Sequence, residues 1–308
     1  MKTKIIYEDK HIMVCYKPAG LATQTARVGQ QDMVSELKNY LAGKVRQQSM
    51  QPDTEKKDAQ KKVPSHAGKK SAQPYLGIIH RLDQPVEGLL VFAKDSASAA
   101  KLTAQLSQGT LNKQYYAVVC GQPQTKSAEL VDYLTKDEAS GSAVVVTEQE
   151  IEQVAQSLRG SKMQRTQSDK VKNAKNSTSA NSPKKAVLQY HVLGQTAGSG
   201  CERPKQDITC QASDSLHLST MPTVTLLDIH IDTGRFHQIR AQMAHAGLPL
   251  LGDSRYGNEI SAQISRDLQV RNVALCAYKI ILKHPVTGNQ MEFSIKPEGK
   301  IFSDFSII

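Results

Sequence analysis

A carboxylate set between two apolar segments is costly unless something pairs with it or uses it. Asp83 is such a carboxylate. It lies in GIIHRLDQPVEGLLVFAK, residues 77–94, where the apolar run LLVFA directly follows the charged and turn-forming HRLDQPVEG. Pro85 and Gly88 close the strand-like segment at once, so the spacing places Asp83 at a strand end held by a stiff turn. That is a good mounting for a catalytic group. Arg81, two positions earlier, shares a face with it in extended chain. Read as an ordinary surface pair, Arg81 and Asp83 contribute under about 1 kcal/mol. A second cluster is GRFHQIR, where Gly234 permits a tight turn and Arg235, His237 and Arg240 gather donors into a few residues. Such donors suit anions, either a carboxylate of the same chain or the phosphates of a ligand. The bland alternative is a capped helix start with solvated arginines. The third cluster is KQYYAVV, where Tyr115 and Tyr116 point to opposite faces of a strand. One of them can enter a pocket and stack on a planar base while the other packs or meets solvent.

The elements that must position these groups are legible in outline. IIYEDKHIMVCYKPAG predicts two short strands around a polar turn, ending in a loop from Lys17 to Gly20. QQDMVSELKNYLAG predicts a helix capped by Asp32 and stopped by Gly43, with Met33, Leu37, Tyr40 and Leu41 at helical spacing. Strands are expected at Ile78–Ile79 and Leu89–Ala93, either side of the HRLD turn. DSASAAKLTAQLSQG predicts a helix capped by Asp95 or Ser96 and ended by Gly109, with Ala99, Leu102 and Leu106 on one face. KQYYAVVCG, AVLQYHVLG and TVTLLDIHI read as strands, the last running into a turn and helix at DTGRFHQIRAQMAHAG. NVALCAYKIILKHP and MEFSIKP close the pattern as a strand pair. Strands follow strands more often than they alternate with helices, which favours α+β with a mixed sheet.

The chain has 308 residues and a net charge of +10. The charge is unevenly placed. Residues 44–73 hold eight Lys/Arg against three Asp/Glu, +5, and residues 154–188 hold eight against one, +7, which leaves the rest at −2. Both segments, and a further loop near 195–221, are poor in large apolar residues and cannot offset their ordering entropy by burial. They read as flexible insertions: solvated loops, or basic arms that gather RNA electrostatically. The N-terminal MKTKIIYEDKHIMVCYKPAG has neither the apolar core nor the cleavage site of a signal peptide, and no apolar run is long enough to span a membrane. Five cysteines with no CxxC spacing predict reduced thiols in a cytoplasmic protein. There is no GxGxxG, no Walker loop and no HExxH, and GDSRYG lacks the setting of a phosphate loop. No cofactor and no metal is expected.

These clusters, in this order, resemble the RluA-type family of pseudouridine synthases, from the N-terminus to Pro297. IIYEDKHIMVCYKPAGL is similar to the family's opening strand pair and K-P-x-G loop. HRLD at 80–83 with GLLVFAK is similar to its signature motif, and NKQYYAVVCG to its K-x-Y strand. DTGRFHQIRAQMAHAGLPLLGDSRYG resembles its GRTHQIR…GD…YG segment, and ALCAYKIILKHPVTG its closing motif. The resemblance implies an α+β catalytic fold with a mixed, mostly antiparallel sheet flanked by helices and loops. It implies a single domain over 1–308 without a separate N-terminal RNA-binding domain, acting on RNA as a monomer, away from membranes. Asp83 would be the catalytic carboxylate and Tyr115 the tyrosine that stacks on the target base. Arg240 would be the basic partner of Asp83. Leu275 would wall the pocket, and Arg81 would help displace the base. His80, Lys17, Arg235, His237 and Gln238 would bind substrate, with Lys17, Arg235 and Arg240 meeting phosphates. Departures are Val86-Glu87 for Thr-Ser, Phe236 for Thr, and Cys276 for His.

The implied reaction is an isomerisation of uridine in structured ribosomal RNA first and tRNA second. The N-glycosidic bond breaks, the uracil turns, and C5 bonds to the same sugar carbon. Asp83 could attack the anomeric carbon, stabilise positive charge there, or take a proton from the adjacent carbon. Two rivals stand beside this reading: an RNA-binding protein or chaperone with this fold, and a nucleoside hydrolase pairing Asp83 with Glu87.

Overall fold

The structure, a computed structural model, describes residues 1–25, 27, 29–50, 74–147, 150, 182–197 and 223–305. The chain divides into two compact units, Met1–Leu111 with Ile281–Phe293, and Asn112–Ile280 with Ser294–Ile308.

In the first unit β1 (Lys4–Glu8) pairs antiparallel with β2 (Ile12–Lys17), and β2 with β4 (Glu87–Ala93); the short β3 (Gly77–Ile78) also pairs with β4. The runs IMVCYK and EGLLVFA are buried at every position, so neither strand alternates. Asp9 makes the β1–β2 turn by accepting the N–H groups of His11 and Ile12, both at 2.7 Å. Helix α1 (Met33–Met50) starts where predicted, with Asp32 Oδ1 accepting Ser35 N–H at 2.7 Å. It does not stop at Gly43. Nothing lies within 4 Å of a Cβ built there, and a mid-helix glycine costs only about 1 kcal/mol against alanine. Residues 44–50, expected in the first insertion, therefore belong to α1, and 51–73 lie outside the described residues. Helix α2 (Ser96–Ser107) is capped by Asp95, as expected.

In the second unit the strand order is β10-β5-β9-β8-β6-β7. The strands are β5 (Asn112–Cys120), β6 (Ser127–Asp137), β7 (Ser142–Val146), β8 (Lys184–Ala197), β9 (Thr223–Ile231) and β10 (Leu275–Lys283). The pairs β5–β9, β9–β8, β8–β6 and β6–β7 are antiparallel, as the mixed, mostly antiparallel α+β expectation requires. Residues 184–188 and 195–197, expected in insertions, are part of β8; 154–181 and 198–221 lie outside the described residues. Helices α3 (Gln238–His245) and α4 (Glu259–Asp267) follow, and β11 (Gln290–Ser294) closes the strand set. A core of Val118, Leu226, Leu251, Ile264, Cys276 and Phe302 fixes the unit. Cys15, Cys120 and Cys276 are buried and in no disulfide. No described helix is long and apolar enough to cross a membrane.

Candidate active site

The loop that carries Asp83 is tied down on both sides within the first unit. Thr23 Oγ1 donates to Leu82 O at 2.9 Å and accepts Leu82 N–H at 3.3 Å. Gly20 N–H donates to Gln84 O at 2.8 Å, Gln84 Nε2 donates back to Gly20 O at 3.1 Å, and Val86 N–H closes a turn on Asp83 O at 3.1 Å. Exposure alternates along the loop: His80 and Leu82 are buried, Arg81 is exposed, and Asp83 is half-buried. His80 Nε2 lies 3.4 Å from Val91 N–H.

Lys17 departs from expectation. It has no exposed surface, and its ammonium donates to Leu21 O at 2.7 Å and to Pro18 O and Gln84 O at 3.1 Å. Three donors for three carbonyls leave nothing for a phosphate, so Lys17 instead fastens the KPAG loop to the loop bearing Asp83. Burial pulls its pKa down to about 7, against the charges of Asp83 and Glu87, which hold it up. Glu87 is also buried, and its Oε2 accepts a 2.6 Å bond from the Tyr16 hydroxyl.

The second unit places Tyr115 on β5 opposite Ile229 of β9, with its side chain buried. Tyr116 faces the other way, as strand alternation demands, and stacks on Tyr278 at 3.7 Å. Leu275 is buried at the start of β10. The β9–α3 connection is stapled by Gln238, whose Oε1 accepts from Thr233 Oγ1 at 2.8 Å and Arg235 N at 2.9 Å, while Nε2 donates to Val187 O at 3.0 Å. Gln238 is buried and holds this loop, in place of the substrate contact its motif implied. Arg235 is exposed and anchors through Nε on Lys185 O at 2.9 Å. His237 adopts left-handed backbone, φ 50°, with Nδ1 2.9 Å from the Tyr256 hydroxyl, which also accepts Ala143 N–H at 2.7 Å.

Arg240 is buried in a bidentate pair: Nε donates to Asp253 Oδ2 at 2.7 Å and Nη2 to Oδ1 at 2.8 Å. It is too deeply set for the phosphate contact expected of it. Asp253 Oδ1 also accepts the N–H groups of Arg255 and Tyr256. Burial pushes the Asp253 carboxyl up, but Arg240 and these amides outweigh it and hold the acid below the usual range. Asp253 lies in GDSRYG, which lacks the setting of a phosphate loop, and it is not among the residues expected at the site. The two glycines are there for room. A Cβ on Gly252 would fall 2.0 Å from Asn272 O, and one on Gly257 would fall 2.4 Å from Asp253 O. The glycine-flanked aspartate shortly after an arginine-bearing helix was the available signal. Lys113 is buried too, has no hydrogen-bonding partner among the described residues, and is pulled by burial to about 8. A Cβ on Gly234 would lie 3.8 Å from its Nζ.

The first unit thus gathers His80, Arg81, Asp83, Glu87 and Lys17, and the second gathers Tyr115, Arg235, His237, Gln238, Arg240 and Leu275. The first unit offers an anchored carboxylate, and the second an aromatic ring and fixed cations. A family model described as RNA pseudouridylate synthase matches residues 11–245, a span that includes Asp83, Tyr115 and Arg240. Ribosomal large subunit pseudouridine synthase D of Zymomonas mobilis is 26% identical over 294 residues, covering 94% of this chain and 68% of that protein. tRNA pseudouridine synthase C of Yersinia pestis is 25% identical over 296 residues, covering 95% and 86%. The structure of human RNA Pseudouridylate Synthase Domain Containing 4 matches with a TM-score of 0.58 over 97% of this chain and 90% of that one, at 19% identity, which is a likeness of fold. With the family's model matched across both units and its motifs in order, this chain belongs to the RNA pseudouridylate synthases, isomerases that act on RNA.

Proposed function

We propose that this chain converts specific uridines of structured RNA to pseudouridine, with large-subunit ribosomal RNA as first substrate and tRNA as second, working as a cytoplasmic monomer. The observation that carries the reading is the mounting of Asp83. Its loop is bonded to Thr23, to Gly20 and, through Gln84 O, to the buried Lys17, so the carboxylate is held on a fixed frame. The ribosomal substrate is favoured by the relatives named for it, and tRNA by the relative named for that.

In the reaction the bond from uracil N1 to the sugar C1′ breaks, the ring turns, and C5 bonds to C1′. C5 gives up its proton and N1 ends protonated, so the atoms balance without oxidant or consumed water. Asp83 works at the sugar beside the breaking bond. Tyr115 stacks on the flipped base, Arg240 is the basic partner of Asp83, and Leu275 walls the ring. Arg81, exposed at the loop, fills the place the base leaves. That offsets part of an unstacking cost of a few kcal/mol. His80, Arg235 and His237 border the RNA. The two-carboxylate hydrolase reading is weakened by Glu87, which is buried and held by Tyr16.

The test is to incubate transcribed ribosomal RNA and tRNA with wild-type and Asp83→Asn protein and to map pseudouridine chemically. Modification at discrete uridines by the wild type, lost in the variant by roughly a hundredfold or more, is expected. Equal modification by both proteins ends the role of Asp83. Modification of neither RNA by the wild type overturns the substrate reading.

A further inference from the structure

We propose that Phe236 is a stacking platform for an unpaired RNA base at the rim of the β9–α3 loop. The inference rests on the RNA-modifying function proposed above. Phe236 is 42% exposed, a large apolar ring left in solvent. Its neighbours Ile239 and Ala241 enter the core, so folding does not require the ring outside. Nor is the ring loose. It stacks on His237 with centroids 3.7 Å apart and planes at 21°. His237 is itself fixed, by its bond to the Tyr256 hydroxyl and by edge-on contact with that ring at 5.7 Å. The platform is therefore preorganised, and a base laid on it loses little further entropy in the protein.

The charges beside it are cationic. Lys136 Nζ lies over the Phe236 ring, 5.7 Å from its centroid, so an incoming base must displace it, and Arg235 is pinned on Lys185 O. Lys136 pairs with Glu138 at 2.8 Å, but both side chains are largely exposed, so that pair yields easily to a phosphate. A rigid exposed aromatic ring among cations is the combination that binds single-stranded nucleic acid, because every base offers a π face and every linkage a negative charge. The position suits the task. The loop leads directly to Arg240, and its Gly234 borders Lys113, two residues before Tyr115 on β5. The ring is thus a specificity-determining residue of this chain, favouring a target uridine with an unpaired neighbour.

The chain contains no tryptophan, so Phe236→Trp introduces a single fluorescent reporter at the platform. The variant, as the full chain, is titrated with a short single-stranded oligoadenylate and, separately, with polyphosphate as a charge-only probe. Saturable quenching by the oligonucleotide and none by polyphosphate is expected. Equal responses to both, or no response to the oligonucleotide, overturns the proposal. In the modification assay Phe236→Leu should raise the KM for RNA roughly 5- to 100-fold, with Phe236→Trp restoring it. An active wild type matched in KM by Phe236→Leu defeats the platform alone. A Phe236→Trp chain that quenches with the oligonucleotide, beside a wild type that modifies no RNA, defeats the proposed function and leaves the platform standing.

Discussion

Lys17 and Arg240 are buried cations, one in each compact unit, and they are satisfied in opposite ways. Lys17 gives its hydrogen bonds to three backbone carbonyls. Arg240 gives two of its own to a carboxylate, Asp253, which is as deeply buried. Carbonyl dipoles replace part of an ammonium's hydration but supply no countercharge, and burial leaves Lys17 near 7, poised to lose its proton. A guanidinium has no such exit, because it cannot deprotonate in a protein. It must keep an anion beside it. The first unit therefore ties its loops with a knot that titrates, and the second with one that does not.

The sharpest way to break this contrast is Asp253→Asn. The change leaves a permanent charge buried without its carboxylate, and breaking such a pair costs about 3–5 kcal/mol. Chemical denaturation should register the loss as a lower midpoint. An unchanged midpoint would mean that Arg240 does not depend on Asp253. The same pair sets an acid limb. Its carboxyl is held below the ordinary aspartate value, so the unfolded chain takes up the proton first as pH falls. The stabilisation is present above about pH 4 and is lost below it. Asp253→Asn should flatten that limb, and a limb of unchanged steepness would assign it elsewhere.

The alkaline side belongs to Lys17, and its sign is the reverse of an ion pair's. With a folded pKa of about 7, the folded protein releases a proton that the unfolded chain keeps up to about 10.4. The unfolded state binds more protons in that window, so stability rises as pH climbs from about 7 toward 10. Lys17→Met should erase the part of the rise between about pH 7 and 8 and leave the part above about 8 that Lys113 supplies. A rise that still begins near 7 would show that another group titrates there. The same variant frees Gln84 O from its anchor, so turnover at a fixed pH should fall as the Asp83 loop slackens.

Local signals made the frame around these sites readable from residue order. Asp32 and Asp95 were recognisable caps, the buried runs of β2 and β4 stood out, and Asp83 announced itself as a carboxylate between apolar segments. Long-range partnerships were not readable in the same way. Nothing near Lys17 says that its three acceptors come from two loops, one of them 67 residues away. The partner of Arg240 sits beyond the next turn, inside a glycine pair whose reason is a close backbone approach. The β6–β7 hairpin escaped because its first strand alternates exposed with half-buried positions and buries only Leu134. Helix α4 escaped because its cap, Asn258 with Ser261, is a polar pair with little apolar sequence around it.

The smallest expected effect is also the one that discriminates best, because it applies one substitution to two buried lysines. Lys113→Met removes an ammonium that burial pulls to about 8 and that has no hydrogen-bonding partner among the described residues. Methionine fills nearly the same space without the dehydration cost, so the variant should be more stable by about 1 kcal/mol at neutral pH. At Lys17 the same exchange strands three carbonyls and gains nothing comparable. A chain that tolerates such a lysine has a use for its charge, and on the proposed function that use is an RNA phosphate arriving beside Gly234. Lys113→Met should then lose about one unit of slope when the logarithm of RNA affinity is plotted against that of salt concentration. A destabilised variant with an unchanged salt slope would place Lys113 with Lys17, as a strut of the fold.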